Sequence, residues 1–323
     1  MKNINDQNGI ESVQEWIKQT LKKIHRKMVE LFGIDFAYFR DIRIIKQSEL
    51  LKQLTQRMRN GLEENGIVYT DIQWIQICKI LSKSQVTGFF ENFAFYNPKD
   101  EVLYINEKMI ANHPEKIISV CAHELSEKLL STYLSSSPGA PKQALVKMLV
   151  EAKKTNNAEK LYELLDEYID TVFLTVFKEG CCEAIALQTL RNMGYEIEAA
   201  SMDEDLQIGY SKCINLLFEI DTGKRSQKGV RKVKTRLHSE RRAAPATDEE
   251  KLIKEALRGS QIIKGVSYYL GYPLAKAVLE KYGIKGIKFA LEEHPPLEAE
   301  YFANTQAYLT QLEKLTTVIQ QGR

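Results

Sequence analysis

The chain has 323 residues, and its 45 Lys or Arg against 43 Asp or Glu leave a formal net charge of only +2. An apolar share of 44% is ordinary for a globular protein and excludes global disorder. The near balance of charges also argues against a dedicated nucleic-acid binder, since such domains are usually strongly basic on one face.

The sequence carries no signal for export or membrane insertion. Its N-terminus lacks the apolar segment of a signal peptide, and no stretch reaches the roughly 20 apolar residues of a membrane span. The five cysteines have no framework spacing, and a disulfide between the adjacent Cys181 and Cys182 would be strained. We therefore expect a cytoplasmic protein with reduced thiols and no membrane span. The oligomeric state stays open.

The first ninety residues are predicted to be helical. Apolar residues at three- and four-residue spacing predict an amphipathic helix from about Ile10 to Phe32. The same pattern, with weaker edges, predicts helices at Ser48–Glu64 and Asp71–Lys83. Residues 1–90 are therefore predicted to form an N-terminal helical region, separate from a core at residues 91–323.

A small sheet is predicted next. In FENFAFYNPKDEVLYINEKMI, aromatic and aliphatic residues alternate on both sides of a turn signal at Asn97–Asp100. This pattern predicts one strand before the turn and a second at Val102–Ile105. Pro114 and Glu115 then open a helix, because proline is well tolerated at an early helical position.

The rest of the chain is predicted to be mostly helical, with two interruptions. A loop is predicted at 135–141, and a polar patch at Lys153–Asn157 breaks the helical pattern of Gln143–Gln188. Helical periodicity returns after Pro245 and continues in three segments. These segments are Asp248–Leu257, Ile262–Tyr282 and Glu298–Ile319.

A basic segment separates these helical stretches. Gly223–Arg242 holds nine Lys or Arg against one acid and has almost no periodic apolar residues, which predicts a mobile surface insertion at 222–246. The segment lacks the interleaved aromatic residues that stack on bases. We therefore do not expect nucleic-acid binding, for which residues 224–242 are the one candidate.

The segment ISVCAHELSEKLL contains candidate metal-binding and catalytic residues. His123 and Glu127 are four residues apart on one helix face, and Glu124 lies one step round. This is the arrangement of the H-E-x-x-H zinc helix, in which two histidines bind the metal and the glutamate acts as general base. Here a glutamate replaces the second histidine, so a solvated helix face with a single histidine is the alternative interpretation.

Two later segments add to this motif. In FKEGCCEAIALQTL, Glu179 precedes a glycine at the head of a helical stretch, and Glu183 follows one turn later. Near the C-terminus, aromatic residues, glycines and a Pro-Pro pair recur in a fixed order. The residues of that tail segment are Tyr269, Gly271, Tyr282, Gly283, Pro295, Pro296, Glu298, Tyr308 and Leu309.

Taken in order, the three segments resemble the gluzincin metallopeptidases over roughly 93–190 and 262–309. The resemblance implies a mainly α (α+β) fold with a zincin-like core, built from a small edge sheet and a metal-binding helix. It implies His123, Glu127 and Glu179 as metal ligands, with Glu183 as another carboxylate that could approach. Zinc is the implied metal, and the harder carboxylate ligands extend the choice to manganese or iron.

The resemblance also implies an activity. Glu124 would act as general base in a metal-dependent peptidase, and Tyr269 would stabilise the oxyanion, with Tyr268 and His294 as alternatives. The substrate would be a peptide or protein. Thiolate ligands from nearby cysteines are a further alternative, and the candidates are Cys121, Cys181 and Cys182.

Two other functions remain open at this point. In the first, the zincin scaffold is catalytically inactive, because its second histidine is missing, and binds a peptide or protein partner. In the second, the protein is a helical adaptor in which the H-E-L-S-E run has no metal-binding role.

Overall fold

The structure, a computed structural model, describes residues 7–64, 68, 70–71, 94–97, 100–135, 158–225 and 245–321. Within these residues the protein is mainly helical and has one small sheet of three strands. The coarse fold prediction, mainly α with a small sheet, is confirmed. No helix in these ranges combines the length and the apolar character needed to cross a membrane.

The elements follow each other in an order dominated by helices. The helices are α1 (Gln7–Phe32), α2 (Gln47–Glu64), α3 (Glu107–Asn112), α4 (Ile117–Tyr133), α5 (Ala158–Asn192), α6 (Glu196–Arg225), α7 (Pro245–Glu292), α8 (Ala299–Ala303) and α9 (Thr305–Gln321). The strands are β1 (Asp41–Ile45), β2 (Ala94–Asn97) and β3 (Val102–Asn106). Pro114 and Glu115 were predicted to open the helix, but they lie in a 3₁₀ turn at Pro114–Lys116 and α4 begins at Ile117.

The first two predicted helices agree with the structure, whereas the predicted segments Asp248–Leu257 and Ile262–Tyr282 form one helix, α7, and the predicted Glu298–Ile319 is divided into α8 and α9. The periodic segments starting near Ile10 and Ser48 are α1 and α2, and each observed boundary lies within three residues of the prediction. The predicted helix at Asp71–Lys83 lies outside the described residues apart from Asp71, and the polar patch at 153–157 lies entirely outside them. The basic insertion is described only to Arg225, where α6 ends, and again from Pro245.

The sheet contains one strand that the sequence analysis missed. β2 and β3 pair antiparallel around the turn that was predicted from Asn97–Asp100. β1 lies on the other side of β3 and pairs with it in parallel, with Asp41 opposite Val102. β3 is therefore the central strand, and all five of its residues are buried.

The chain divides into two compact units, residues 1–133 with 182–205 and residues 134–181 with 206–323. In the first unit, one apolar face of α1 is buried, and the middle of β3 is fully buried as well. In the second unit, Phe173 stacks on Phe302 with ring centroids 5.7 Å apart, and Phe177 meets Tyr308 edge-on. Each unit therefore has a hydrophobic core of its own.

Two glycines let α5 and α7 touch backbone to backbone inside the second unit. A Cβ added to Gly180 would lie 2.1 Å from the carbonyl carbon of Gly271, and one added to Gly271 would lie 1.9 Å from the carbonyl oxygen of Val176. Neither position has room for a side chain. Gly271, which belongs to the tail segment of the gluzincin resemblance, thus has a direct packing role.

A third glycine ends the first part of α7. Gly283 has φ 65° and ψ −165° and interrupts the helix at a kink. Residues with a side chain almost never adopt this conformation. The break separates Tyr282, whose hydroxyl donates to the Leu309 carbonyl at 3.3 Å, from the last turns of α7.

We predict that Gly180→Ala destabilises the protein. Alanine is normally better than glycine inside a helix by about 1 kcal/mol, but here its Cβ would overlap the Gly271 backbone. Overpacking of this kind costs about 1–3 kcal/mol, so the net change should be a loss of stability. Urea denaturation followed by circular dichroism measures it.

The matched control is Gln188→Ala, because Gln188 is an exposed residue on the same helix. This control should shift the denaturation midpoint little, since surface substitutions usually change stability by less than about 0.5 kcal/mol. A Gly180→Ala protein as stable as the wild type would show that the two helices do not touch as described.

Candidate functional site

Helix α4 carries the predicted motif and is buried on nearly all sides. Its apolar residues Cys121, Ala122, Leu125 and Leu129 are at most 2% exposed. A helix that is apolar on every face belongs in a core, which explains why the sequence places it there. The polar residues of the same helix are therefore drawn into the core of the first unit and need partners there.

His123 on α4 meets Glu183 on α5. The imidazole Nδ1 lies 2.9 Å from the carboxylate Oε1, and the two side chains are 16% and 12% exposed. Two atoms bound to one ion at about 2.1 Å each would lie roughly 3.0–3.4 Å apart at bond angles of about 90–110°. The observed separation lies just below that range and is also an ordinary N···O contact distance, so the two side chains are near enough to bind one ion but the distance alone does not require one.

Glu183 was the secondary carboxylate in the sequence analysis, after Glu179. The two glutamates are four residues apart on α5 and so lie on one face of the helix. Helical spacing alone therefore could not decide which of the two turns meets His123. The described contact is made by Glu183, and the role of Glu179, a half-buried residue, stays a prediction.

A third metal ligand is not brought to the pair. Within the ranges that the structure describes, no group of three His, Cys, Asp or Glu side chains is arranged to hold a metal ion. Glu127, the predicted substitute ligand, is half-buried on the next turn of α4. The pKa of Tyr96 is raised mainly by burial, then by the charges of Glu101 and Asp100, and last by the charge of Glu127. An imidazole and a carboxylate are suitable ligands for a divalent ion, but in the described residues no third such group joins this pair to hold one.

Glu124, the predicted general base, is held against the sheet. Its side chain is buried at 8% exposure, and its Oε2 accepts a hydrogen bond of 2.8 Å from the backbone N–H of Tyr96. Tyr96 lies on β2, the outer strand of the three-stranded sheet. This bond ties α4 to the sheet and fixes the orientation of the carboxylate.

One turn further along α4, Lys128 is buried in a cage of polar and aromatic groups. Its Nζ donates to the Tyr38 carbonyl at 3.1 Å and lies 3.6 Å from Oε1 of Glu101. The rings of Tyr96 and Phe39 face the same ammonium, with centroids 4.8 Å and 5.5 Å away. Burial lowers the pKa of Lys128, while Glu101 opposes this effect.

Lys128 was missed by the sequence analysis, although one signal pointed to it. Lys128 lies four residues after Glu124, on the same face of a helix with many apolar residues. Such a lysine is either a surface residue or a buried cation with dedicated partners. The choice between them depends on the loop and turn residues that surround it, which come from other parts of the chain.

The buried cysteines are poor candidates for thiolate ligands. Burial raises the pKa of Cys121 and Cys181, and for Cys121 the charge of Glu124 acts in the same direction. Both groups therefore favour the neutral thiol, whereas a metal binds the thiolate. Cys182 is fully buried as well.

The predicted oxyanion donors have clear packing roles in the second unit. The Tyr269 ring packs directly against Gly209. A Cβ added to Gly209 would lie 2.2 Å from Tyr269 Cδ1, so the ring occupies the space that a side chain would need. Tyr269 also contacts Tyr268, with ring centroids 4.7 Å apart. The His294 carbonyl accepts a hydrogen bond from the Tyr308 hydroxyl. A catalytic role for Tyr269, Tyr268 or His294 stays a prediction.

No protein-family model, curated protein or solved structure matches this chain. The resemblance to gluzincins therefore depends on the quoted motifs alone. Any functional assignment has to be argued from the geometry around α4.

We predict that the buried cysteines resist thiol reagents in the native protein. Cys121 and Cys181 have raised pKa values and are almost completely buried, whereas Cys213 is only half-buried. Alkylation at pH 8, followed by peptide mass spectrometry, should modify Cys213 at least about tenfold faster. Unfolding in urea should equalise the rates. Fast native labelling of Cys121 would contradict the buried position of α4.

Proposed function

We propose that the protein is a metal-dependent hydrolase with a zincin-like core, acting in the cytoplasm on peptide or protein substrates. The observation that carries the proposal is the 2.9 Å contact between His123 and Glu183. It joins the two helices on which the sequence analysis had placed the two metal-binding motifs. A helical adaptor would explain the same contact as a polar link between two packed helices, and metal content separates the two interpretations.

The side chains around the contact suit a divalent cation. An imidazole nitrogen and a carboxylate oxygen are common zinc ligands, and a second carboxylate would widen the choice to manganese or iron. Glu127 follows His123 by one turn of α4 and is the proposed further ligand from that helix. Such a shell carries two negative charges, which balance the charge of the ion.

Glu124 is the proposed general base. A bound divalent ion would supply Lewis-acid polarisation of the substrate carbonyl and a water of lowered pKa. The protein's own contribution is a carboxylate that is already oriented, because the Tyr96 N–H holds Oε2 in place.

A catalytically inactive zincin-like scaffold that binds a peptide or protein is the second candidate. One observation favours it: in the part of the chain that the structure describes, no three potential ligands converge. In this case the His123–Glu183 pair would serve to connect α4 and α5. The two candidates differ in whether the purified protein contains a stoichiometric metal.

We predict that the purified protein binds about one divalent ion per chain and that Glu183→Gln removes it. The substitution removes the carboxylate charge and keeps the side-chain shape. Loss of a residue that only supports a ligand lowers metal affinity about 10- to 100-fold, and loss of a direct ligand should lower it at least as much. Inductively coupled plasma mass spectrometry after dialysis against metal-free buffer measures the content. Glu179→Gln, assayed in parallel, decides which turn of α5 provides the ligand.

Glu196→Gln is the matched control, since Glu196 is an exposed acid at the start of α6. It should leave the metal content unchanged. Two results together would refute the proposed metal site. The wild-type protein would contain no bound metal, and the Glu183→Gln protein would bind zinc, manganese and iron with the same affinities as the wild type.

We predict that Glu124→Gln lowers peptide hydrolysis by about 10²- to 10⁴-fold, the usual contribution of a general base, and leaves the metal content unchanged. Cleavage of a quenched fluorescent peptide library measures the activity. The inactive scaffold predicts a different pattern, in which the wild type cleaves nothing and Glu127→His gains activity by restoring the missing imidazole.

A further inference from the structure

We propose that Lys128 is a positioning residue for Glu124 and that it acts through Tyr96. The role assigned to Glu124 rests on the proposed function, whereas the contacts of Lys128 do not. The inference starts from the spacing of the two residues. Glu124 and Lys128 are one turn apart on α4, and both reach the same residue of β2.

The two contacts hold Tyr96 at both ends. Glu124 accepts its backbone N–H at 2.8 Å, and the Lys128 ammonium lies 4.8 Å from the centroid of its ring. A buried ammonium is attracted to the face of an aromatic ring, more strongly when both groups are removed from water. Tyr96 therefore cannot slide along α4 without breaking both contacts.

Lys128 is itself anchored from two directions. The Tyr38 carbonyl, in the segment between α1 and β1, accepts a hydrogen bond from its Nζ. The Glu101 carboxylate, in the turn between β2 and β3, lies 3.6 Å from the same atom. Because these anchors lie outside α4, they fix where the ammonium can hold the Tyr96 ring.

The backbone of Glu101 supports this interpretation. Glu101 has φ 59°, and within the described residues it is the one non-glycine residue with positive φ. This conformation is unfavourable for a residue with a side chain and persists where the surroundings enforce it. Its carbonyl accepts the Arg40 N–H at 2.9 Å, so the turn is tied to the segment that also provides the Tyr38 carbonyl.

The chain of contacts thus runs from Glu101 and Tyr38 through Lys128 and the Tyr96 ring to the Tyr96 N–H and Glu124. Removing the Lys128 charge should loosen Tyr96 and weaken its hydrogen bond to Glu124. A residue with a merely structural role would instead destabilise the whole sheet. The two cases differ in which backbone amides lose protection.

Amide hydrogen exchange of the full-length protein tests the inference. Lys128→Met keeps an unbranched side chain, one atom shorter, and removes the charge. We expect the protection factor of the Tyr96 amide to fall about tenfold, as for a lost hydrogen bond to a charged group, while the β3 amides keep theirs. An unchanged Tyr96 amide, or an equal loss at Tyr96 and along β3, would overturn the proposal.

A double-mutant cycle with Glu124→Met, which removes the acceptor, sharpens the test. If Lys128 acts through the Tyr96–Glu124 bond, Lys128→Met should have little further effect on Tyr96 exchange in the Glu124→Met protein. Independent, additive effects of the two substitutions would contradict the proposed connection.

Glu101→Gln covers the case in which Lys128→Met does not fold. It removes the anchoring charge at a half-exposed position and should lower Tyr96 protection about threefold. Glu115→Gln, at an exposed acid of the same unit, is the control and should change nothing at Tyr96. The exchange measurement requires neither metal nor substrate. A protein without bound metal would therefore refute the proposed hydrolase, while the exchange result would still test the role of Lys128.

Discussion

The first unit depends on one constraint, namely that α4 is buried on nearly all sides although it carries several polar side chains. A buried polar group costs free energy unless it has a partner, and a buried charge costs more. Glu124 accepts a hydrogen bond from a backbone N–H of β2, Lys128 donates to the Tyr38 carbonyl and lies near Glu101, and the His123 ring faces the Glu183 carboxylate at 2.9 Å. These contacts tie α4 to the sheet, to the segment before β1 and to α5.

These contacts are also the reason to assign a function here. A buried pair of polar side chains is often no more stabilising than a well-packed apolar pair, so stability alone does not explain these contacts. His123, Glu124 and Glu183 carry the groups that metal-dependent hydrolysis needs, and Lys128 is placed to keep one of them oriented. We therefore interpret the polar face of α4 as a functional surface, which the core of the first unit holds in position.

The second unit is organised by a different interaction. Gly180 and Gly271 bring two helix backbones into direct contact, and aromatic residues of α5 pack against those of α8 and α9. Several residues that resembled a family signature in the tail segment, among them Gly271, Tyr282 and Tyr308, have roles in this packing. Their order along the chain is thus explained by helix contacts, without requiring a catalytic role for each.

The sequence by itself determined the helices, the β2–β3 hairpin and the α4 motif. These features follow from local periodicity and turn residues, and α1, α2 and the hairpin lie close to where the pattern predicted them. It did not reveal β1, because DIRII pairs in parallel with a partner about sixty positions away and is not part of a hairpin.

Only the tertiary structure decided which groups of the site meet. Glu179 and Glu183 share a helix face, so the sequence offered both, and the described contact with His123 is made by Glu183. The burial of Lys128 depends on Tyr38, Tyr96 and Glu101, which lie far from it in the chain. Local patterns report the face of a helix on which a side chain lies. The partner it meets there is set by long-range packing, which no local pattern contains.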